Sequence, residues 1–220
     1  MLFPKIIILA QGGTHGDFLY KSCQLMILNN NNNNNINNKI DNNGRVLESS
    51  IFKRNNFTLY KKGQKKESML NYLNNAQEIE ICHVWFEEFI NWPSKFYYID
   101  FDDALIEIIK KMYLEKACNN DINIAIENYK KYLPDSVAKK ITHDNFDKII
   151  TMSYKSIKKK YQKQPNITAI NMVNLYSFDK LTYILKDMEI YNPQKLQQLE
   201  IFHKDWIKKN NKWINSIKNS

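Results

Sequence analysis

The chain has 220 residues, of which 43% are apolar and 13% aromatic, and its formal net charge is +9. This composition is typical of one folded domain with a sizeable core, and it excludes a wholly disordered chain. It contains no run of about 18 apolar residues, so we expect no transmembrane helix. We interpret residues 1–220 as a single domain.

The positive charge comes almost entirely from lysine. Of the 32 basic residues, only Arg45 and Arg54 are arginine. Proteins that bind nucleic acid depend on arginine, because its planar guanidinium group matches phosphates and guanine edges. We therefore expect solvated lysines and no nucleic-acid partner.

The number and spacing of the cysteines indicate the redox state of the compartment in which the protein folds. Cys23, Cys82 and Cys118 are odd in number and have no C-x-x-C spacing, which favours a reducing environment. The apolar start of the chain is short and runs directly into glycines, unlike a signal peptide. We expect a cytoplasmic protein.

The first elements in chain order are a strand, a turn and a helix. The run Lys5 to Ala10 is continuously apolar, as in a parallel strand that is covered on both faces. A glycine-rich turn follows from Gln11 to Gly16. Asp17 then opens a helical stretch, with apolar residues at Phe18, Leu19, Cys23 and Met26.

The helical pattern stops at Leu28, where an asparagine-rich segment begins. Asn29 to Asn35 is an unbroken asparagine tract, and residues 29–63 are mostly polar. Asparagine favours turns and has a low helix propensity. We predict that residues 29–63 form a mobile surface insertion without a specific function.

The remaining chain alternates between strand and helix patterns. We predict strands at Glu78–Val84, Phe96–Phe101 and Thr168–Leu175, and helices near Leu105–Met112, Ile122–Leu133, Asn145–Tyr161, Phe178–Met188 and from Pro193 onward. This order predicts an α/β fold with a mainly parallel sheet covered by helices in three layers.

The turn after the first strand is a candidate anion site. Backbone amides of a glycine-rich turn and the positive end of the following helix attract anions. The candidate ligands are therefore Gly12, Gly13, Thr14, His15 and Gly16. The alternative is a tight turn in which the glycines provide only conformational freedom.

Two further features lie at the predicted carboxyl ends of strands, where ligands bind in open α/β sheets. His83 is placed to act as a general base, or to form a hydrogen bond within the core. Asp100, Asp102 and Asp103 follow the next strand. They suit a Mg²⁺ site or the start of a helix, and we favour capping for Asp102 and Asp103.

Taken together, these segments resemble the P-loop sulfotransferase family. Gly13-Thr14-His15 is similar to the Gly-Thr-Thr of the family's phosphosulfate loop. The order of motifs is also similar, in the segments Ile79–Trp85, Trp92–Pro93, Phe96–Ile99, Asn171–Met188 and His203–Trp206. The chain departs from the family at Gln11, where a lysine is usual, and at Asp100 and Ile108, where an arginine and a serine bind the donor's 3′-phosphate.

The resemblance implies an activity and a set of roles. The donor would be 3′-phosphoadenosine-5′-phosphosulfate, an anionic nucleotide, and the acceptor a hydroxyl compound. The turn from Gly12 to Gly16 would hold the phosphosulfate, His15 would stabilise charge on the transferring group, and His83 would be the catalytic base. Two alternatives stay open: a nucleotide-dependent phosphoryl transferase that uses the Asp100 group, and a non-catalytic binding module on the same fold.

Overall fold

A four-stranded sheet lies at the centre of the fold, and all of its strand pairs are parallel. The structure, a computed structural model, describes residues 4–27, 40–46, 78–82, 92–130 and 138–220. The strands are β1 (Ile6–Leu9), β2 (Ile79–Cys82), β3 (Lys95–Asp100) and β4 (Ile167–Asn171), in the spatial order β2-β1-β3-β4.

Six α-helices occur in the described part of the chain. They are α1 (Gly16–Ile27), α2 (Ile106–Cys118), α3 (Ile122–Lys130), α4 (His143–Gln162), α5 (Phe178–Asp187) and α6 (Leu196–Lys218). Successive parallel strands need connections that bring the chain back to the same end of the sheet, and α1 lies between β1 and β2 whereas α2, α3 and α4 lie between β3 and β4. The predicted α/β fold with a helix-covered parallel sheet is confirmed. None of the described helices is long and apolar enough to cross a membrane.

Strand β1 is buried along its whole length, and it pairs with β2 on one side and with β3 on the other. Ile7, Ile8 and Leu9 have no exposed surface, which explains why this stretch has no polar residue. In this strand order, the connection from β1 leads to β2 on one side of β1, and the next connection leads to β3 on the other side. Ligands of open α/β proteins bind at the carboxyl ends of the strands at such a point.

The fourth predicted strand is too long at its carboxyl end. We predicted a strand over Thr168–Leu175, but β4 ends at Asn171 and a short 3-10 helix spans Met172–Tyr176. The cause is the side chain of Asn171, which accepts a hydrogen bond from the backbone amide of Val173 at 3.1 Å. Asparagine side chains compete with the strand ladder in this way at helix starts.

Aromatic stacking joins the first and last helices. The ring of Phe18 on α1 lies 3.8 Å from Trp206 and 5.5 Å from Phe202, both on α6, with near-parallel planes. Trp206 is 1% exposed, so it belongs to the core. This packing fixes α6 beside the turn that precedes α1.

The contact between α1 and β1 depends on a glycine. A Cβ atom on Gly16 would lie 2.1 Å from the Cβ of Ala10 and 3.0 Å from Cδ1 of Ile81. We expect Gly16→Ala to lower the free energy of unfolding by about 1–3 kcal/mol or more, because an overpacked core must shift its backbone. Urea denaturation of the two proteins measures the difference.

A double-mutant cycle with Ala10→Gly isolates this contact. Removing the Ala10 methyl group makes room for the new one, so Gly16→Ala should cost less in the Ala10→Gly background than in the natural chain. Strictly additive costs would show that the Ala10–Gly16 approach does not limit the packing of α1.

Candidate functional site

A cleft of about 310 Å³ lies beside the carboxyl end of β1. Five parts of the chain line it: the turn after β1 with the first residues of α1, the carboxyl-terminal half of α2, a turn at residues 40–46, Asn128 on α3 and Trp206 on α6. Its charged lining residues are Asp17, Arg45 and Lys116. The cleft therefore contains the predicted glycine-rich turn together with two cations that lie far from it in sequence.

The glycine-rich turn is closed by its own hydrogen bonds. The backbone amide and the hydroxyl of Thr14 both donate to the carbonyl of Gln11, at 3.1 and 2.7 Å. Thr14 is fully buried. Its side chain stabilises the turn, and its predicted role toward a donor stays a prediction.

Packing against α2 explains two of the glycines. Gly13 has a φ of +82°, and a Cβ atom there would lie 2.7 Å from the carbonyl oxygen of Ile109. On Gly12 it would lie 2.9 Å from the ring of Tyr113. The glycines let α2 approach the turn, so their presence alone does not indicate an anion site. That role depends on the charges around the cleft.

His15 contributes a buried aromatic ring to the cleft. It is 9% exposed, has a φ of +63°, and packs edge-on to Trp206 at 4.9 Å between ring centroids. Its Nε2 has no hydrogen-bond partner among the described residues. Burial, with a smaller effect from the charge of Lys116, holds the pKa of His15 well below its ordinary value. His15 is therefore neutral at pH 7, and its predicted catalytic part would be that of a hydrogen-bonding group.

Gln11 does not replace the loop lysine of the sulfotransferase family, because its side chain makes hydrogen bonds within the protein. Its Nε2 donates to the Tyr98 hydroxyl at 3.2 Å and to the Tyr154 carbonyl at 3.4 Å. The Tyr154 hydroxyl in turn donates to the carbonyl of Gly12 at 2.6 Å. Burial raises the pKa of both phenols, so both stay neutral at pH 7. Gln11 thus ties the turn to β3 and α4.

Lys116 on α2 is the cation that sequence reasoning missed. Its Nζ donates to Oδ1 of Asn210 on α6. Burial lowers the pKa of Lys116 to about 8, against the opposing effects of Glu115 and Asp41. The side chain is therefore mostly charged at pH 7 and lies in the cleft. One lysine among many on a helix gives no sequence signal, because only the docking of α2 against the turn places it here.

Arg45 enters the cleft from within the segment that we predicted to be a mobile insertion. The described part of that segment, residues 40–46, is a turn closed by an antiparallel bridge between Ile40 and Val46. Oδ1 of Asp41 accepts hydrogen bonds from the amides of Asn43 and Arg45, both at 2.9 Å. The rest of residues 29–63 lies outside the described residues.

Asp100, Asp102 and Asp103 are not among the residues that line this cleft. His83 follows the last residue of β2 and lies outside the described residues. Oδ1 of Asp102 accepts a hydrogen bond from the amide of Ala104 at 2.9 Å, so the predicted capping is confirmed for Asp102. Nζ of Lys158 lies 2.9 Å from Asp103 and 3.7 Å from Asp100. No group of three metal-ligating side chains occurs in the parts of the chain that the structure describes.

No protein-family model, curated protein or solved structure matches this chain. The resemblance to sulfotransferases therefore stays a prediction from the sequence motifs.

The burial of His15 predicts a loss of stability in acid. The unfolded chain binds a proton at His15 below about pH 6.5, whereas the folded chain does not until a much lower pH. The free energy of unfolding should therefore decrease as the pH is lowered from 7 to 5, by up to about 1.4 kcal/mol per pH unit for each such proton. His203 adds to the slope in the same direction, because burial also lowers its pKa.

His15→Asn is the matched variant, since asparagine tolerates a positive φ and does not titrate. Urea denaturation at pH 5, 6 and 7 should give a smaller pH slope for His15→Asn than for the natural chain, whatever the absolute loss of packing. An unchanged slope would mean that His15 takes up its proton in the folded state.

Proposed function

We propose that the protein is a sulfotransferase-like transferase that binds an anionic, nucleotide-type donor in this cleft. One observation carries the proposal: the glycine-rich turn, the amino-terminal end of α1 and the side chain of Lys116 line the same cleft. Backbone amides and the positive helix end favour a phosphate or sulfate group at this place. Lys116 supplies the cation that the turn itself lacks.

The charges of the cleft favour an anion over a cation. Lys116 and Arg45 are opposed by Asp17, which lies in the first turn of α1. A unit charge at 4 Å from an anion contributes about 4 kcal/mol at an effective dielectric constant near 20, before the cost of desolvation. Lys116 is the cation for which that gain is greatest, because it is the more buried of the two.

The resemblance supplies the reaction. The acceptor's hydroxyl oxygen would form a bond to the sulfur of the donor, and the bond from that sulfur to the bridging phosphate oxygen would break. Adenosine 3′,5′-bisphosphate would leave with the electron pair of that bond. The acceptor's proton would pass to His83, while Gly12 to Gly16 would hold the phosphosulfate.

Donor binding tests the cleft directly. We expect the protein to bind adenosine 3′,5′-bisphosphate in isothermal titration calorimetry at pH 7. Lys116→Gln should weaken binding by about tenfold or more, because it removes a partly buried charge. Lys116→Arg should retain most of the affinity. Asp17→Asn should strengthen binding, since it removes the opposing carboxylate.

The same titrations at higher pH separate Lys116 from the other groups. Above about pH 8 the natural chain should lose affinity, approaching tenfold per pH unit, because the anion binds the charged form of Lys116 whose pKa is about 8. Lys116→Arg should show no such loss. His15 does not change charge in this range, because burial holds its pKa well below its ordinary value. Absence of binding at millimolar bisphosphate would contradict the proposal.

The variant His83→Ala separates binding of the donor from transfer of the sulfuryl group. We expect His83→Ala to bind adenosine 3′,5′-bisphosphate as the natural chain does, and to lose transfer from 3′-phosphoadenosine-5′-phosphosulfate to a panel of phenol and alcohol acceptors. The readout is the sulfated product. If the natural chain binds the bisphosphate but sulfates no acceptor, the binding-module alternative replaces the transferase.

A further inference from the structure

The turn Ile40–Val46 is firmly docked on α6. Nδ2 of Asn210 donates to the carbonyl of Gly44 at 3.0 Å, and Nζ of Lys209 donates to the carbonyl of Ile40 at 2.9 Å. Ile40 and Val46 are 6% and 5% exposed. Gly44 has a φ of +74°, and a Cβ atom there would lie 2.4 Å from Nδ2 of Asn210. The turn therefore has one defined position at the edge of the cleft.

Asn210 connects this turn to Lys116. Its side chain is fully buried, and its Nδ2 also donates to the carbonyl of Trp206 at 2.9 Å. Its Oδ1 accepts the hydrogen bond from Lys116. A buried amide with both its donor and its acceptor engaged fixes the relative positions of its partners, since leaving any of them unpaired is costly. The two cationic walls of the cleft are thus held by one residue.

Arg45 is the residue that the docked turn presents to the cleft. It is exposed, and among the described residues no carboxylate lies within ion-pair distance of its guanidinium group. The chain has 32 basic residues, and only two are arginine. An arginine at this position is therefore unusual for the chain, and its forked donors suit phosphate and sulfate oxygens in a way that lysine does not.

We propose that the turn Ile40–Val46 sets the specificity of the cleft: Arg45 binds the distal anionic group of a ligand that carries two linked anionic groups. Asn210 is the positioning residue that holds Arg45 and Lys116 at the required spacing. The ligand class is a diphosphate or phosphosulfate chain, with its proximal group at the glycine-rich turn. This inference rests on the proposed function, because it concerns the same cleft.

Two inorganic probes test the distal site without a nucleoside. Calorimetry of the full chain at pH 7 and constant ionic strength compares pyrophosphate with orthophosphate. The natural chain should prefer pyrophosphate by about tenfold or more. Arg45→Gln should reduce that preference to less than about threefold, because it weakens pyrophosphate binding much more than orthophosphate binding. Arg45→Lys, which keeps the charge but not the fork, should fall between them.

Two variants test the positioning role. Gly44→Ala displaces the turn from Asn210, so it should reproduce the lost preference although Arg45 is still present. Asn210→Asp gives Lys116 a carboxylate partner, so the pH above which pyrophosphate affinity falls should rise. An unchanged pH would show that residue 210 does not contact Lys116. Thermal unfolding of each variant identifies those that remain folded at the titration temperature.

The outcomes distinguish this inference from the proposed function. If adenosine 3′,5′-bisphosphate binds but pyrophosphate has no advantage, or if Arg45→Gln weakens both probes equally, Arg45 does not recognise a distal group and the inference is overturned. An Asn210→Asp variant that is folded and has an unchanged pH profile overturns the positioning role. If neither the bisphosphate nor pyrophosphate binds, both the inference and the donor site fail.

Discussion

The close approach of backbones around the turn after β1 is the constraint on which the other parts of this structure depend. Gly16 lets α1 begin directly against Ala10, and Gly13 lets α2 lie against the turn. Both contacts leave no space for a side chain. Since α1 stacks on α6 through Phe18 and Trp206, the positions of three helices follow from one short turn. The cleft is the space that these helices leave beside it.

Much of the fold was predictable because burial imposes a period on the sequence. The apolar run of β1 reflects a strand covered on both faces, and the spacing of Ile106, Ile109 and Met112 reflects one buried side of α2. The error at the end of β4 arose where a side chain competed with the backbone: Asn171 starts a 3-10 helix in a stretch that is otherwise apolar enough for a strand.

The charges of the candidate site were less predictable, since they come from tertiary packing. Gln11 and Asp100, the positions at which the family resemblance led us to expect cations, make hydrogen bonds within the protein, Gln11 to Tyr98 and Asp100 to the amide of Phe101. The cations of the cleft are instead Lys116 and Arg45, one on a helix and one in a polar segment of low complexity. No local pattern distinguishes either residue from other solvated charges. Their positions in the cleft depend on Asn210, a buried residue that is distant from both in the sequence.

The bridge between Ile40 and Val46 has a consequence for how the chain tolerates changes in length. Because these residues are paired, the chain enters and leaves the docked turn at one place. The free energy of closing a connecting segment rises by only about 0.6 kcal/mol for each doubling of its length, so the docking of the turn is nearly independent of the number of residues on either side. A change in the length of the asparagine tract before it should therefore leave the position of Arg45 unchanged.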